Sequence, residues 1–101
     1  MPVRITIAED IITAYLSGEI DHHNAKKIRE EIDEAAERCH PKELVLDFKG
    51  VTFMDSSGIG LVMGRYSLMQ DMSGELRVTN LCGHISKVMK LAGLDRLAVL
   101  R

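Results

Sequence analysis

Asp55-Ser56-Ser57-Gly58-Ile59-Gly60 is the stretch whose residue types carry the most chemistry. A serine that follows a strand and opens a helix sits among backbone N–H groups that no helical carbonyl satisfies, so its oxygen can cap the helix or face an incoming group. Ser56 as a plain N-cap, worth about 1 kcal/mol, is one reading of this spacing. The glycines point to another. Gly58, Gly60 and Gly64 fall inside the helix that Ile59, Val62, Met63, Tyr66 and Met69 mark out, and each costs up to about 1 kcal/mol relative to alanine. A bare backbone there implies either a sheet packed very close to the helix or another protein laid against its first turn, within reach of the serine.

Other chemistries fit the residues less well. A nucleophile elbow needs glycine two residues before and two after its serine, and position 54 is Met, which weighs against a hydrolase built from Ser56 and His22 or His23. The glycine spacing 58, 60, 64 is one residue too long for a dinucleotide fingerprint, and no Gly-Lys-Ser/Thr loop occurs, so no cofactor is expected. His22 and His23 after Asp21, with Cys39 and His40 further on, could suggest a metal. A helix of about sixteen residues would hold the two groups roughly 24 Å apart, so one ion cannot use both and no metal is expected. Asp21 reads instead as a helix cap, and the histidines as exposed first-turn residues in a loop beside Ser56. The methionines at 54, 63, 69, 72 and 89 read as core filling.

The elements that must position these residues follow from periodicity. Val3 to Ile7 and Ile11 to Leu16, separated by Glu9 and Asp10, read as a β-hairpin. Ala25, Ile28, Ile32, Ala35, Ala36 and Cys39 recur at three and four, giving an amphipathic helix capped by Asp21 and stopped by Pro41. On its outer face Arg29 with Asp33 and Glu34 with Arg38 form i,i+4 pairs. Leu44-Val45-Leu46 with Phe48 reads as a central strand covered on both faces, and Val51 to Met54 as a short apolar stretch after Gly50. A second helix starts at the serine pair. Leu76 and Val78 mark a strand, Ile85, Val88, Met89 and Ala92 a third helix stopped by Gly93, and Leu97 to Leu100 a last strand. The fold class is α/β: a mixed sheet of about five strands, in the order β-β-α-β-α-β-α-β, with helices packed on it.

Composition narrows the function. The chain has 101 residues, 46% hydrophobic and 28% charged, enough for one compact domain spanning 1–101 and too few for two. Thirteen basic residues against fifteen acidic ones give a net charge of -2, and with no Trp, two Tyr and two Phe there is neither a basic excess nor a stacking platform for nucleic acid. The charge is uneven: residues 1–75 carry 8 basic and 14 acidic side chains, residues 76–101 carry 5 and 1. An acidic surface around a site would favour a basic partner and repel added negative charge. Two cysteines make no disulfide framework, and the N-terminus lacks a signal-peptide pattern, which implies a cytoplasmic location. No apolar run reaches the eighteen or so residues of a membrane span, so insertion is not expected, although docking to a membrane protein stays open.

Gly18-Glu19-Ile20-Asp21-His22-His23, Leu44-Val45-Leu46-Asp47-Phe48, and Phe53-Met54-Asp55-Ser56-Ser57-Gly58-Ile59-Gly60 followed by Gly64-Arg65-Tyr66 together resemble a STAS domain of the anti-sigma-factor antagonist type. The Asp-His-His segment is most similar to the sporulation-type antagonist, and the likeness runs from about residue 3 to residue 95. It departs at Gly83, where many relatives carry Pro, and in lacking a further helix after Arg101. The resemblance implies a non-enzymatic partner switch. The unphosphorylated protein binds an anti-sigma factor that is also a serine kinase, and so frees a sigma factor. Phosphorylation by that kinase, which uses ATP, prevents binding, and a serine phosphatase restores it. Ser56 matches the phosphoacceptor. Asp21, His22, Asp55, Ser57, Gly58, Ile59 and Gly60 match the surface that meets the kinase. A second expectation within the same family is a docking subunit of a transporter or signalling assembly, without phosphotransfer.

Overall fold

Alternating β-branched and polar residues make β1 (Val3–Ala8) and β2 (Ile11–Ile20) an antiparallel hairpin, with Glu9 in the left-handed region at the turn. The remaining elements are α1 (His22–Cys39), β3 (Glu43–Met54), α2 (Ser56–Asp71), β4 (Glu75–Thr79), α3 (Gly83–Leu91), a 3-10 turn (Leu94–Arg96) and β5 (Val99–Leu100). This computed structural model describes residues 3–97 together with the backbone of Val99–Leu100. The sheet runs β1-β2-β3-β4-β5, antiparallel only at the hairpin; four strands have five residues or more and the fifth has two. Of the expected last strand at Leu97 to Leu100, position 98 lies outside the described residues.

Register builds the core in rows. Ile12 pairs with Leu44 and Leu44 with Leu76; Ala14 pairs with Leu46 and Leu46 with Val78. These buried side chains join Ile28 and Ile32 of α1, Leu61, Val62 and Met69 of α2, and Ile85 and Met89 of α3 in one cluster. The opposite face is different from the sequence expectation that β3 is covered on both sides. Its rows are Thr13, Val45 and Arg77, then Tyr15, Asp47 and Thr79, and only Val45 among them is buried. Polar contacts tie that face together. Arg77 Nη2 lies 2.6 Å from Glu43 Oε2, Asn80 Nδ2 donates to Asp47 Oδ2 at 3.0 Å, and the Arg4 guanidinium sits 4.3 Å over the Tyr15 ring. The unbroken apolar run at Leu44-Val45-Leu46 therefore owes its continuity to Val45 alone, shielded by its cross-strand neighbours.

β2 and β3 are both longer than their periodicity suggests. The register shifts between Tyr15 and Ser17 and again between Gly18 and Glu19, with Gly18 at φ 76, a β-bulge that hides the strand pattern while the pairing continues to Ile20 and Met54. Opposite it, a side chain on Gly50 would press against the Leu16 carbonyl, 3.0 Å from a Cβ. α1 ends at Cys39, with His40 in the left-handed conformation, so Pro41 follows the stop rather than making it. Met54, Met69 and Met89 fill the core as expected; Met63 does not, being half exposed.

Candidate functional site

Ile20 pairs with Met54 at the end of two parallel strands, so the residues that follow, Asp21 and Asp55, leave the sheet side by side at its carboxyl edge. That edge is where α/β sheets present their sites. The Asp55 N–H donates to the Ile20 carbonyl at 3.1 Å, and Asn24 Nδ2 straps the first loop by donating to the Glu19 carbonyl at 2.9 Å. Both aspartates are N-caps. Asp21 Oδ1 accepts from the backbone N–H groups of His23 and Asn24, each at 3.0 Å, and Asp55 Oδ1 accepts from that of Ser57 at 2.7 Å. The Asn24 N–H above all, with the His23 N–H and the neighbouring histidine charges, outweighs desolvation and holds the Asp21 carboxyl below its ordinary value of 3.8.

The Asp55 cap corrects the reading of Ser56 as an N-cap. Ser56 is the first helical residue, exposed, and among the described residues no hydrogen bond occupies its hydroxyl or joins it to His22 or His23. The two histidine rings lie against each other, with centroids 4.1 Å apart. Among the described residues no group of three or more His, Cys, Asp or Glu side chains is placed to hold a metal.

The glycines divide. Gly58 is buried, and a Cβ there would overlap the Met54 side chain, so the chain's own packing demands it. Gly60 and Gly64 have nothing within 4 Å of where a Cβ would stand. Of the two causes the sequence left open, close packing by the sheet accounts for Gly58, through Met54 at the end of β3, while Gly60 has no internal cause and fits the access of a partner. Ile59 is half-buried and packs on the core.

Beside the serines, α1 and α2 flank a cleft of about 330 Å³ lined by His22, Lys26 and Arg29 from one helix and Ser57, Gly60 and Arg65 from the other. Arg65 is only 5% exposed, and its Nε lies 2.8 Å from Asp33 Oδ1. Asp33 therefore bridges the helices instead of pairing along α1 with Arg29, whereas Glu34 and Arg38 do form their surface pair at 3.8 Å. Burial pushes the Asp33 carboxyl up and the Arg65 guanidinium down, each partly offset by the other's charge.

The STAS domain family model matches residues 2–100. The chain belongs to the STAS domain family. It is 36% identical over 87 residues to the anti-sigma F factor antagonist of Paenibacillus polymyxa, covering 86% of this chain and 74% of that one. Its fold superposes on that of the anti-sigma factor antagonist SpoIIAA in its unphosphorylated form with a TM-score of 0.86, at 28% identity, over 98% of this chain and 87% of that one. The phosphorylated form of the Bacillus cell fate determinant SpoIIAA gives a TM-score of 0.78 over 98% and 90% of the two chains, at the same 28% identity.

In this STAS domain the structure brings Asp21, His22, Asp55, Ser56, Ser57 and Gly60 to one end of the sheet. Sequence reasoning missed Asn24, Lys26, Arg29 and Arg65 as parts of that end. Arg65 did leave a signal: it continues the buried stripe of Leu61, Val62 and Met69, where a lone arginine needs a partner.

Proposed function

We propose that this STAS protein is an anti-sigma-factor antagonist whose switch is Ser56. Its unphosphorylated form binds an anti-sigma factor that is also a serine kinase, and the sigma factor is released. The kinase, using ATP, phosphorylates Ser56; binding ends, and a serine phosphatase restores it. The chain itself performs no catalysis and acts in the cytoplasm. The observation that carries this reading is the exposed Ser56 hydroxyl at the first position of α2, left free because Asp55 takes the capping role. Gly60 keeps side chains off the path to it.

A phosphate on Ser56 adds about -1.5 to -2 charge at neutral pH. The start of α2 favours that charge, so the domain stays folded, while Asp55 beside it and closure of an interface oppose it. Folding is preserved and binding is lost. Incubation with the cognate anti-sigma kinase and ATP, followed by peptide mass spectrometry, tests the assignment. Phosphate on Ser56 is the expected result; phosphate only on another residue, or on none, overturns it.

A further inference from the structure

The cleft between α1 and α2 has a charge that its surroundings lack. Residues 1–75 hold 14 acidic and 8 basic side chains, yet three of those basic residues, Lys26, Arg29 and Arg65, line one cleft together with His22. No carboxylate is among its described lining residues. Arg65 is buried; its Nε faces Asp33 Oδ1 as an ion pair without hydrogen-bond alignment, and its Nη1, equally screened from solvent, has no hydrogen-bond partner among the described residues. A buried charged donor left unpaired is costly, and the Asp33 contact engages only the Nε side of the guanidinium. The Lys26 and Arg29 side chains, exposed on the same cleft, present cationic donors to an acceptor from outside the chain.

We propose that this cleft binds a phosphate dianion, free or as a small phosphomonoester. Three cations less the Asp33 carboxylate leave two positive charges, which a dianion neutralises and a single carboxylate does not. A guanidinium presents parallel N–H donors that match two phosphate oxygens, and the Lys26 ammonium and Ser57 hydroxyl supply further donors on the same cleft. At about 330 Å³ the cleft is larger than the anion alone, which leaves room for a small organic substituent. The inference does not depend on the role of Ser56, which is not among the lining residues.

The test is titration of the full chain with inorganic phosphate at constant ionic strength, followed by ³¹P and amide NMR. Saturable one-to-one binding is expected, with the largest amide shifts at Lys26, Arg29, Ser57 and Arg65. The variant Lys26→Gln/Arg29→Gln changes two exposed side chains and keeps the fold, which circular dichroism verifies. Its phosphate affinity should fall at least tenfold. Absence of saturable binding, equal affinity in the variant, or acetate binding as tightly as phosphate would each overturn the proposal. So would a variant that loses only its protein partner while neither chain binds phosphate, since the cleft would then anchor a partner's acidic side chain.

Discussion

The Asp55 N–H donates to the Ile20 carbonyl at 3.1 Å, joining two loops that lie far apart in the chain. Because Ile20 and Met54 are register partners, the two capping aspartates and the first turns of α1 and α2 are held as one unit. The face that includes Ser56 is thus set by strand pairing rather than by a mobile loop.

The two glycines near the start of α2 should respond to alanine with opposite signs. Gly60→Ala meets no neighbour, so it should stabilise α2 by up to about 1 kcal/mol, raising Tm by several degrees, while weakening binding to the anti-sigma factor. Gly58→Ala must displace Met54 and should cost about 1–3 kcal/mol. Thermal unfolding of both variants, with binding measured on the first, distinguishes them; a Gly60→Ala chain that binds as well as the parent removes the partner-access role of Gly60.

Breaking the Asp33–Arg65 pair from one side should be worse than removing both partners. Asp33→Asn leaves the Arg65 charge uncompensated and should cost about 1–3 kcal/mol, given that Asp33 is itself partly solvated. The joint variant Asp33→Leu/Arg65→Met should cost less than the sum of the single changes. Urea titrations of Asp33→Asn, Asp33→Leu, Arg65→Met and the joint variant give the comparison, and strict additivity of the Leu and Met changes would show that the pair does not couple α1 to α2.

Acid should act on the α1 cap in a defined direction. The Asp21 carboxyl is held below 3.8 in the folded protein, so its contribution is fully present above that value and is lost as pH falls through the lower folded value. The stability difference between the parent and Asp21→Ala should therefore be constant from about pH 7 to about pH 5 and shrink in stronger acid. Asp33 is different: burial raises its carboxyl while the Arg65 charge opposes the rise, so its titration follows the balance of the two. Denaturant titrations of the parent and Asp21→Ala across this range measure the first effect. A difference that grows in acid contradicts it.

Much of this architecture is legible from local pattern. The helix-period residues from Ala25 to Cys39, the β-branched hairpin and the Asp-Ser-Ser-Gly junction each announce their element, and Asp21 caps where its residue type suggests. What was not legible depends on neighbours distant in sequence. The bulge at Ser17 and Gly18 conceals strand pairing that only the opposite strand maintains. Asp33 has a local partner available in Arg29, but Arg65, brought over it by the packing of α2 on α1, offers a buried and therefore stronger attraction. The distinct purposes of Gly58 and Gly60 are equally invisible until Met54 is seen beneath one and open space beside the other.

The central claim is that charge placed on Ser56 switches binding without unfolding the domain. The most direct measurement is the affinity of the cognate anti-sigma kinase for the unmodified chain and for the chain phosphorylated on Ser56, with circular dichroism taken on both. Roughly 3 kcal/mol of interfacial repulsion predicts binding about a hundredfold weaker for the phosphorylated chain, with an unchanged spectrum. Equal affinities for the two forms would contradict the account.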